Sequence, residues 1–176
     1  MDAGKFVRRL AAARIGATHN FYRDGRRARL RRERLAAYLL AHADAPVLLV
    51  GEAAGFRGAR ISGIPFVSER QLTGSGPAEA TATIVQAILL ELGVDVLCWN
   101  AVPTHPGTRA SNRRPTVAEV RAAAPFLAEL CRHRRVVAVG RVAEAATGAP
   151  YVRHPSHGGS ADFRAGLLRF CAGEGV

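Results

Sequence analysis

The stretch VLLVGEAAGFRGARISGIPFVSE, residues 47–69, decides the fold of this chain. It opens on four apolar residues, 47–50, which is typical of a strand covered on both faces. The glycine-rich loop that follows lets the backbone come close to a ligand, because few side chains hold the ligand off. In an open α/β sheet, ligands bind just beyond the carboxyl ends of the strands, where Glu52 and Phe66 would lie. Taken alone, the loop is equally consistent with an ordinary strand-to-helix connection.

Outside this stretch, helix-like and strand-like segments alternate along the chain. The predicted elements are a basic helix around residues 26–43, the strand at 47–50, a helix opened by Pro77, a strand over 94–99, a helix from the capping box of Thr116 and Glu119 to Cys131, a strand over 136–139, a short helix, a strand near Tyr151 and Val152, and a helix over 160–170. Such alternation implies a parallel sheet with helices on both faces. Because no repeat or linker divides the sequence, we expect one domain over residues 1–176, with 1–45 as its basic helical N-terminal part.

The charge of the chain indicates the kind of partner. There are 25 Lys and Arg against 14 Asp and Glu, a formal net charge of +11, which favours a polyanion. Most of the excess is arginine, whose planar fork suits phosphate. It is clustered at Arg23, Arg26, Arg27, Arg29, Arg31, Arg32 and Arg34, then at Arg109, Arg113 and Arg114, then at Arg132, Arg134 and Arg135. The alternative for the first cluster is a solvated helix face.

Other features narrow the class of protein. The three cysteines, Cys98, Cys131 and Cys171, form no C-x-x-C pair, so neither a disulfide framework nor a local metal site is predicted. The sequence has no apolar run long enough to span a membrane, and its beginning lacks the apolar region and cleavage site of a signal peptide. We therefore expect a soluble, intracellular protein with no membrane partner.

Polar residues recur where the predicted strands end. Glu52 follows the first strand, Asn100 the second and His154 the fourth, so the three side chains should converge at one edge of the sheet. An asparagine side chain both donates and accepts hydrogen bonds, so it can read an imide-like base edge. A histidine can hydrogen-bond a carbonyl oxygen on which negative charge develops. Phe66 would supply a stacking face.

At these residues the chain resembles the uracil-DNA glycosylase superfamily. GEAAG with the downstream GIPF is similar to the family's first motif, and HPSHGG, residues 154–159, is similar to its second; the resemblance covers residues 47–168. It implies a three-layer α/β/α fold with a central four-stranded parallel sheet. It also implies hydrolysis of the N-glycosidic bond of uracil flipped out of DNA, in base excision repair, without a cofactor.

The resemblance assigns a role to each matching residue. His154 would support charge at uracil O2, and Glu52 would orient or activate the attacking water. The base-binding residues would be Phe66, Asn100, Gly51 and Ala53, and the DNA-binding residues Arg113, Arg114, Ser156 and His157. The implied partner is uracil-containing DNA, single- or double-stranded, bound by a monomer in the cytoplasm at the nucleoid.

Departures from the family pattern refine these expectations. Ala53 stands where the uracil-specific branch has an aspartate, so the acidic role falls to Glu52, as in members with a GEAPG motif. Ala54 replaces the proline of that motif. No cysteine precedes Cys98, so the four-cysteine iron–sulfur cluster of many such members is not expected. The second loop lacks the leucine that wedges into the duplex in relatives, which makes single-stranded or weakly paired substrates more plausible.

Alternatives stay open at this point. The same fold could be a catalytically silent reader of flipped bases or abasic DNA, or a hydrolase of small nucleosides or nucleotides. His105, His154 and His157 could bind a metal ion, and Ser156 could be a nucleophile, although no G-x-S-x-G elbow surrounds it. Asn112, Arg113 and Arg114 could simply cap the helix that begins near Thr116.

Overall fold

Four parallel strands form the centre of the structure, a computed structural model that describes residues 1–173. The strands are β1 (Val47–Ala53), β2 (Val96–Val102), β3 (Arg135–Val139) and β4 (Tyr151–Val152), in the order β2-β1-β3-β4. All neighbours pair in parallel. The predicted four-stranded parallel sheet is therefore confirmed. Both β1 and β2 run three residues further than predicted, which matters for the site below.

Helices cover both faces of this sheet. They are α1 (Ala3–Ala12), α2 (Ala28–Ala41), α3 (Ala59–Ser62), α4 (Glu69–Thr73), α5 (Ala80–Leu92), α6 (Val117–Cys131), α7 (Arg141–Thr147) and α8 (Ser160–Ala172). Successive side chains of β1 point to opposite faces: Leu48 and Val50 join the apolar cluster of α1, α2, α6 and α7, whereas Val47 and Leu49 join that of α5 and α8. Burial on both faces explains the unbroken apolar run of the sequence.

Local sequence signals predicted the bounds of α6 but not the start of α5. The Thr116 side chain accepts from the backbone N–H of Glu119 at 3.2 Å, and the Glu119 carboxylate accepts from the Thr116 backbone N–H at 2.8 Å. The predicted capping box and the end of α6 at Cys131 are thus confirmed. By contrast, α5 begins at Ala80 rather than at Pro77, after Glu79 in an extended conformation.

Several arginines of the first cluster hold the fold together. Arg31 donates to the carbonyl oxygens of Ile61 and Phe21, at 3.2 and 3.1 Å. Arg34 pairs with the buried Glu69 at 2.7 Å, across to α4. An arginine bound to backbone carbonyls or to a buried carboxylate is not free for phosphate, so this cluster offers a polyanion less charge than its count suggests.

The N-terminal part packs into the same core as the sheet. Phe6 of α1 meets Trp99 and Phe126 edge-on, with ring centroids 5.5 and 5.6 Å apart. The Asn20 side chain donates to the Leu10 carbonyl at 2.8 Å and so closes the end of α1. Within residues 1–173, every helix is too short or too polar to reach from one side of a bilayer to the other.

Candidate active site

The carboxyl ends of β1 and β2 and the loop after β4 enclose a cavity of about 330 Å³. The predicted site residues that line it are Glu52, Ala53, Phe66, Asn100, Arg113, His154 and Ser156. Gly51, Arg114 and His157 are not part of its wall, although each touches or influences a residue that is. The expected convergence of three strand ends therefore occurs, on a scale typical of small-molecule pockets.

Gly51 lies directly against the side chains of Phe66 and Asn100. A Cβ atom at this position would lie 2.4 Å from Phe66 Cζ and 2.9 Å from Asn100 Oδ1, closer than real contacts allow. Phe66 itself is buried, and its φ of 55° is in the left-handed region that a bulky residue rarely adopts. A held strain of this kind is found preferentially at functional sites.

Asn100 lies inside β2 and not after it, which corrects the sequence prediction. It is paired with Gly51 in the strand register and is 5% exposed. Its side-chain amide makes no hydrogen bond to any of residues 1–173, although it lines the cavity. Since buried amides nearly always have partners, this one is available to a ligand.

Glu52 is the second-to-last residue of β1 and is half-buried. Burial raises the pKa of its carboxyl, and the positive charge of Arg114 opposes that rise. Arg114 is therefore close enough to act on the carboxylate, which is the form that can hold and activate a water molecule.

His154 is fixed by the loop that it belongs to. The backbone N–H of Ser156 donates to His154 Nδ1 at 3.2 Å, and the Ser156 hydroxyl lies 2.8 Å from the same nitrogen. Because an amide can only donate, Nδ1 is unprotonated and the neutral ring carries its hydrogen on Nε2. Burial, and secondarily the charge of His157, lowers the pKa of His154, which favours this neutral form. The ring therefore presents one hydrogen-bond donor.

Ser156 has a supporting role that sequence reasoning did not foresee. Its hydroxyl also lies 3.0 Å from His157 Nδ1, so it links the two histidines. His157 has a φ of 52° and is exposed at the tip of the loop. A serine engaged with two rings positions His154 rather than acting as a nucleophile.

Two further contacts join the loops around the cavity. Asn112 Oδ1 accepts from the Phe56 backbone N–H at 2.9 Å. His105 is 1% exposed, and its ring nitrogens lie 2.7 Å from the carbonyl oxygens of Ala54 and Thr108. Both side chains connect loops around the cavity. Asn112 therefore does not cap α6, whose capping box is formed by Thr116 and Glu119. Across the described part of the chain, His, Cys, Asp and Glu side chains nowhere gather in a group of three or more that could hold a metal ion.

Arg113 and Arg114 differ although they are neighbours. The Arg113 guanidinium makes two hydrogen bonds to the Glu119 carboxylate, at 2.6 and 2.8 Å, and these lower the pKa of Glu119 to about 2. Glu119 itself is 2% exposed. Arg113 therefore completes the cap of α6, as the alternative interpretation held. The Arg114 side chain makes no hydrogen bond or ion pair to any of residues 1–173, and its charge acts on Glu52 instead.

Sequence reasoning missed Glu79, which also lines the cavity. Its carboxyl lies against the β1–α3 loop, so close that a Cβ atom at Gly55 or Gly58 would be 1.9 Å from one of its oxygens. In the sequence Glu79 is one acidic residue before a helix, and such residues are common there. Only the fold shows that it faces the glycines of the first motif.

Comparisons with known proteins show what this chain is similar to. A family model described as "Uracil DNA glycosylase superfamily" matches residues 39–166. No curated protein matches the chain. The crystal structure of wild-type Pedobacter heparinus SMUG2 superposes with a TM-score of 0.64 at 12% identity, over 98% of this chain and 97% of that one. At this identity the likeness concerns the fold, and it includes the N-terminal helices that precede the matched residues.

Proposed function

The chain belongs to the uracil DNA glycosylase superfamily, and from this premise we propose that it hydrolyses the N-glycosidic bond of uracil in DNA, as a step of base excision repair in the cytoplasm. The observation that carries the proposal is the meeting of Glu52, Asn100 and His154 in one cavity beside Phe66. The likeness to SMUG2 supports the fold on which this site is built.

The reaction requires stabilisation of two developing charges. When the bond breaks, the sugar gains oxocarbenium character and the departing base gains negative charge. His154, neutral and donating through Nε2–H, would bind uracil O2 where that charge appears. Glu52, ionised, would hold the attacking water and favour the cationic sugar. A preorganised donor of this kind typically lowers the barrier by about 3 to 4 kcal/mol.

Recognition of the base would rest on Phe66 and Asn100. The Phe66 ring would stack on the flipped base, and the absence of a side chain at Gly51 leaves room for the ring. The unpartnered Asn100 amide would accept from uracil N3–H and donate to O4. Ala53, in the cavity wall, adds contact with the base.

We expect Asn100→Asp to lower uracil excision by about tenfold or more and to admit cytosine, because a carboxylate prefers the amine donor of cytosine to the carbonyl of uracil. The measurement is the single-turnover rate on otherwise identical oligonucleotides that carry uracil or cytosine at one position. Unchanged uracil excision in this variant would mean that Asn100 does not contact the base.

We expect Arg114→Gln and Arg113→Gln to have different effects. Loss of Arg114 should weaken DNA binding for every sequence and reduce the slope of log K against log salt by about 1, as for a lost phosphate contact. Loss of Arg113 should instead lower the thermal midpoint, because it leaves the buried Glu119 without its partner. Fluorescence anisotropy across salt concentrations and thermal unfolding measure the two effects. If Arg113→Gln flattens the salt slope equally, its guanidinium contacts DNA as well as Glu119.

Two alternatives keep the same cavity. A silent reader would bind flipped bases or abasic DNA without cleavage, and a hydrolase of free nucleosides would need no contact with phosphates. End-labelled oligonucleotides carrying single uracil, hypoxanthine, xanthine or oxidised pyrimidine bases, cleaved with alkali after incubation, separate these possibilities. Tight binding to uracil-containing DNA without abasic sites would favour the reader. Nucleoside hydrolysis without salt-sensitive DNA binding would favour the small-molecule enzyme.

A further inference from the structure

A second carboxyl group faces the cavity, and the proposed reaction does not use it. Glu79 precedes α5 in an extended conformation, with φ −116° and ψ 124°. Its side chain makes no cap to the helix and extends instead towards the loop after β1. The side chain is thus directed into the cavity rather than onto its own helix.

The glycines of the first motif make room for this carboxyl. Gly55 and Gly58 each lack the Cβ that would lie 1.9 Å from a Glu79 oxygen. Any other residue at either position would displace the group. The two glycines are therefore needed for the position of Glu79 as well as for the approach of a ligand.

The Glu79 carboxyl has no partner within the described chain. Among residues 1–173 no side chain or backbone N–H donates to it, and no Lys, Arg or His forms an ion pair with it. Glu79 is partly buried, and burial disfavours an unpaired carboxylate more than a neutral carboxylic acid. An unpartnered, partly buried polar group that lines a cavity is available to a ligand.

From this arrangement we propose that Glu79 is a specificity-determining residue, whose neutral carboxyl donates a hydrogen bond to a carbonyl oxygen of the extruded base. The inference rests on the proposed function and deepens it. Deaminated bases carry a carbonyl oxygen where the parent base carries an amine, and a carboxylic acid O–H suits that oxygen. An ionised carboxylate in the same place would repel it.

The two carboxyl groups of the cavity differ in the charges around them. Burial alone raises the pKa of Glu79, with no contribution from Glu52 on β1, Arg113 before α6 or His154 after β4. Burial also raises the pKa of Glu52, but there the positive charge of Arg114 opposes the rise. A nearby cation thus favours ionisation at Glu52 and not at Glu79. In many active sites, different surroundings of two carboxyl groups separate the acid from the base.

The test compares Glu79→Gln and Glu79→Ala with the wild type, with Glu33→Gln on the exposed face of α2 as a matched control. Glutamine keeps an N–H donor at every pH. At low pH, Glu79→Gln should therefore excise uracil within about threefold of the wild-type rate. At higher pH, the wild-type rate should decline as Glu79 ionises, whereas the rate of Glu79→Gln should not. Alanine removes the donor, so kcat/KM for uracil should fall by about tenfold or more at pH values where Glu79 is protonated, and the difference from the wild type should shrink as Glu79 ionises. Glu33→Gln should match the wild type.

A second measurement does not depend on catalysis. In protein labelled with ¹³C at the glutamate carboxyl carbon, the Glu79 signal, assigned by its loss in Glu79→Gln, should titrate above the usual range of a glutamate, because burial raises the pKa of this carboxyl. Free uracil should shift the Glu79 signal and leave the Glu33 signal unchanged. If the wild type excises no base but uracil still shifts Glu79, the glycosylase proposal fails and the base contact stands. If excision is equal in all variants at every pH, or uracil leaves the signal unmoved, the inference is overturned.

Discussion

Glu52→Gln and His154→Ala will each lower the single-turnover rate of uracil excision by about 100- to 1000-fold, while affinity for uracil-containing DNA changes by less than about threefold. The reason is that both residues are assigned to charge that exists chiefly in the transition state. Glutamine cannot supply the negative charge of Glu52, and alanine removes the Nε2–H donor of His154. Single-turnover kinetics with excess enzyme, together with anisotropy at the same salt concentration, measure both quantities.

The control for this pair is Phe66→Ala. Stacking acts on the bound, flipped base as well as in the transition state, so this variant should lose affinity along with rate. The pH profile gives an internal check: the wild-type rate should rise with pH as Glu52 ionises, at a pH above the usual range of a glutamate because burial raises its pKa. Wild-type rates in both polar variants would remove the glycosylase assignment.

Gly51→Ala will lower kcat/KM for uracil excision by about 100-fold, although the alteration adds one methyl group and no charge. The new Cβ would lie 2.4 Å from Phe66 Cζ and 2.9 Å from Asn100 Oδ1, so both base-binding side chains must move. A displacement of about 1 Å in positioning groups can cost a factor of this size. Steady-state kinetics on a uracil oligonucleotide measure the effect.

Gly4→Ala is the matched control for this variant. Gly4 lies in α1 and does not line the cavity, and a Cβ there would meet only the ends of Arg8 and Asp2, at 3.3 and 3.4 Å. It should leave activity unchanged and raise the thermal midpoint slightly, because alanine is the better helix former. Full activity in Gly51→Ala would show that Phe66 and Asn100 can move without loss of activity. The absence of a side chain at position 51 would then be unimportant for base recognition.

The sequence could predict those features that arise from patterns among neighbouring residues. Glu52 and His154 were predictable because each stands beside an apolar strand, and parallel strands bring their carboxyl ends to one edge. The start of α6 was predictable because Thr116 and Glu119 bind each other locally. The likeness of two short motifs then supplied the family.

The rest depends on contacts between distant segments. Glu79 was missed because the glycines that it faces are more than twenty positions away, and a missing Cβ has no pattern of its own in the sequence. The short α3 and α4 carry too few residues for a periodic signal. The arginines of α2 looked like a phosphate-binding cluster because sequence shows their charge but not the carbonyls and the Glu69 carboxylate that bind them.

The packing of α1 has a consequence for the order in which the chain folds. Phe6 contacts Trp99 and Phe126, which are synthesised much later, so these contacts cannot form until β2 and α6 have left the ribosome. Contacts of such high contact order form slowly, because the intervening chain must close into a loop before they contribute stability. The neighbouring α2 packs against α1 as well, but until β2 and α6 arrive the aromatic side of α1 is exposed to chaperones and to other nascent chains. We therefore expect the contacts of Phe6 with the sheet layer to be among the last to form.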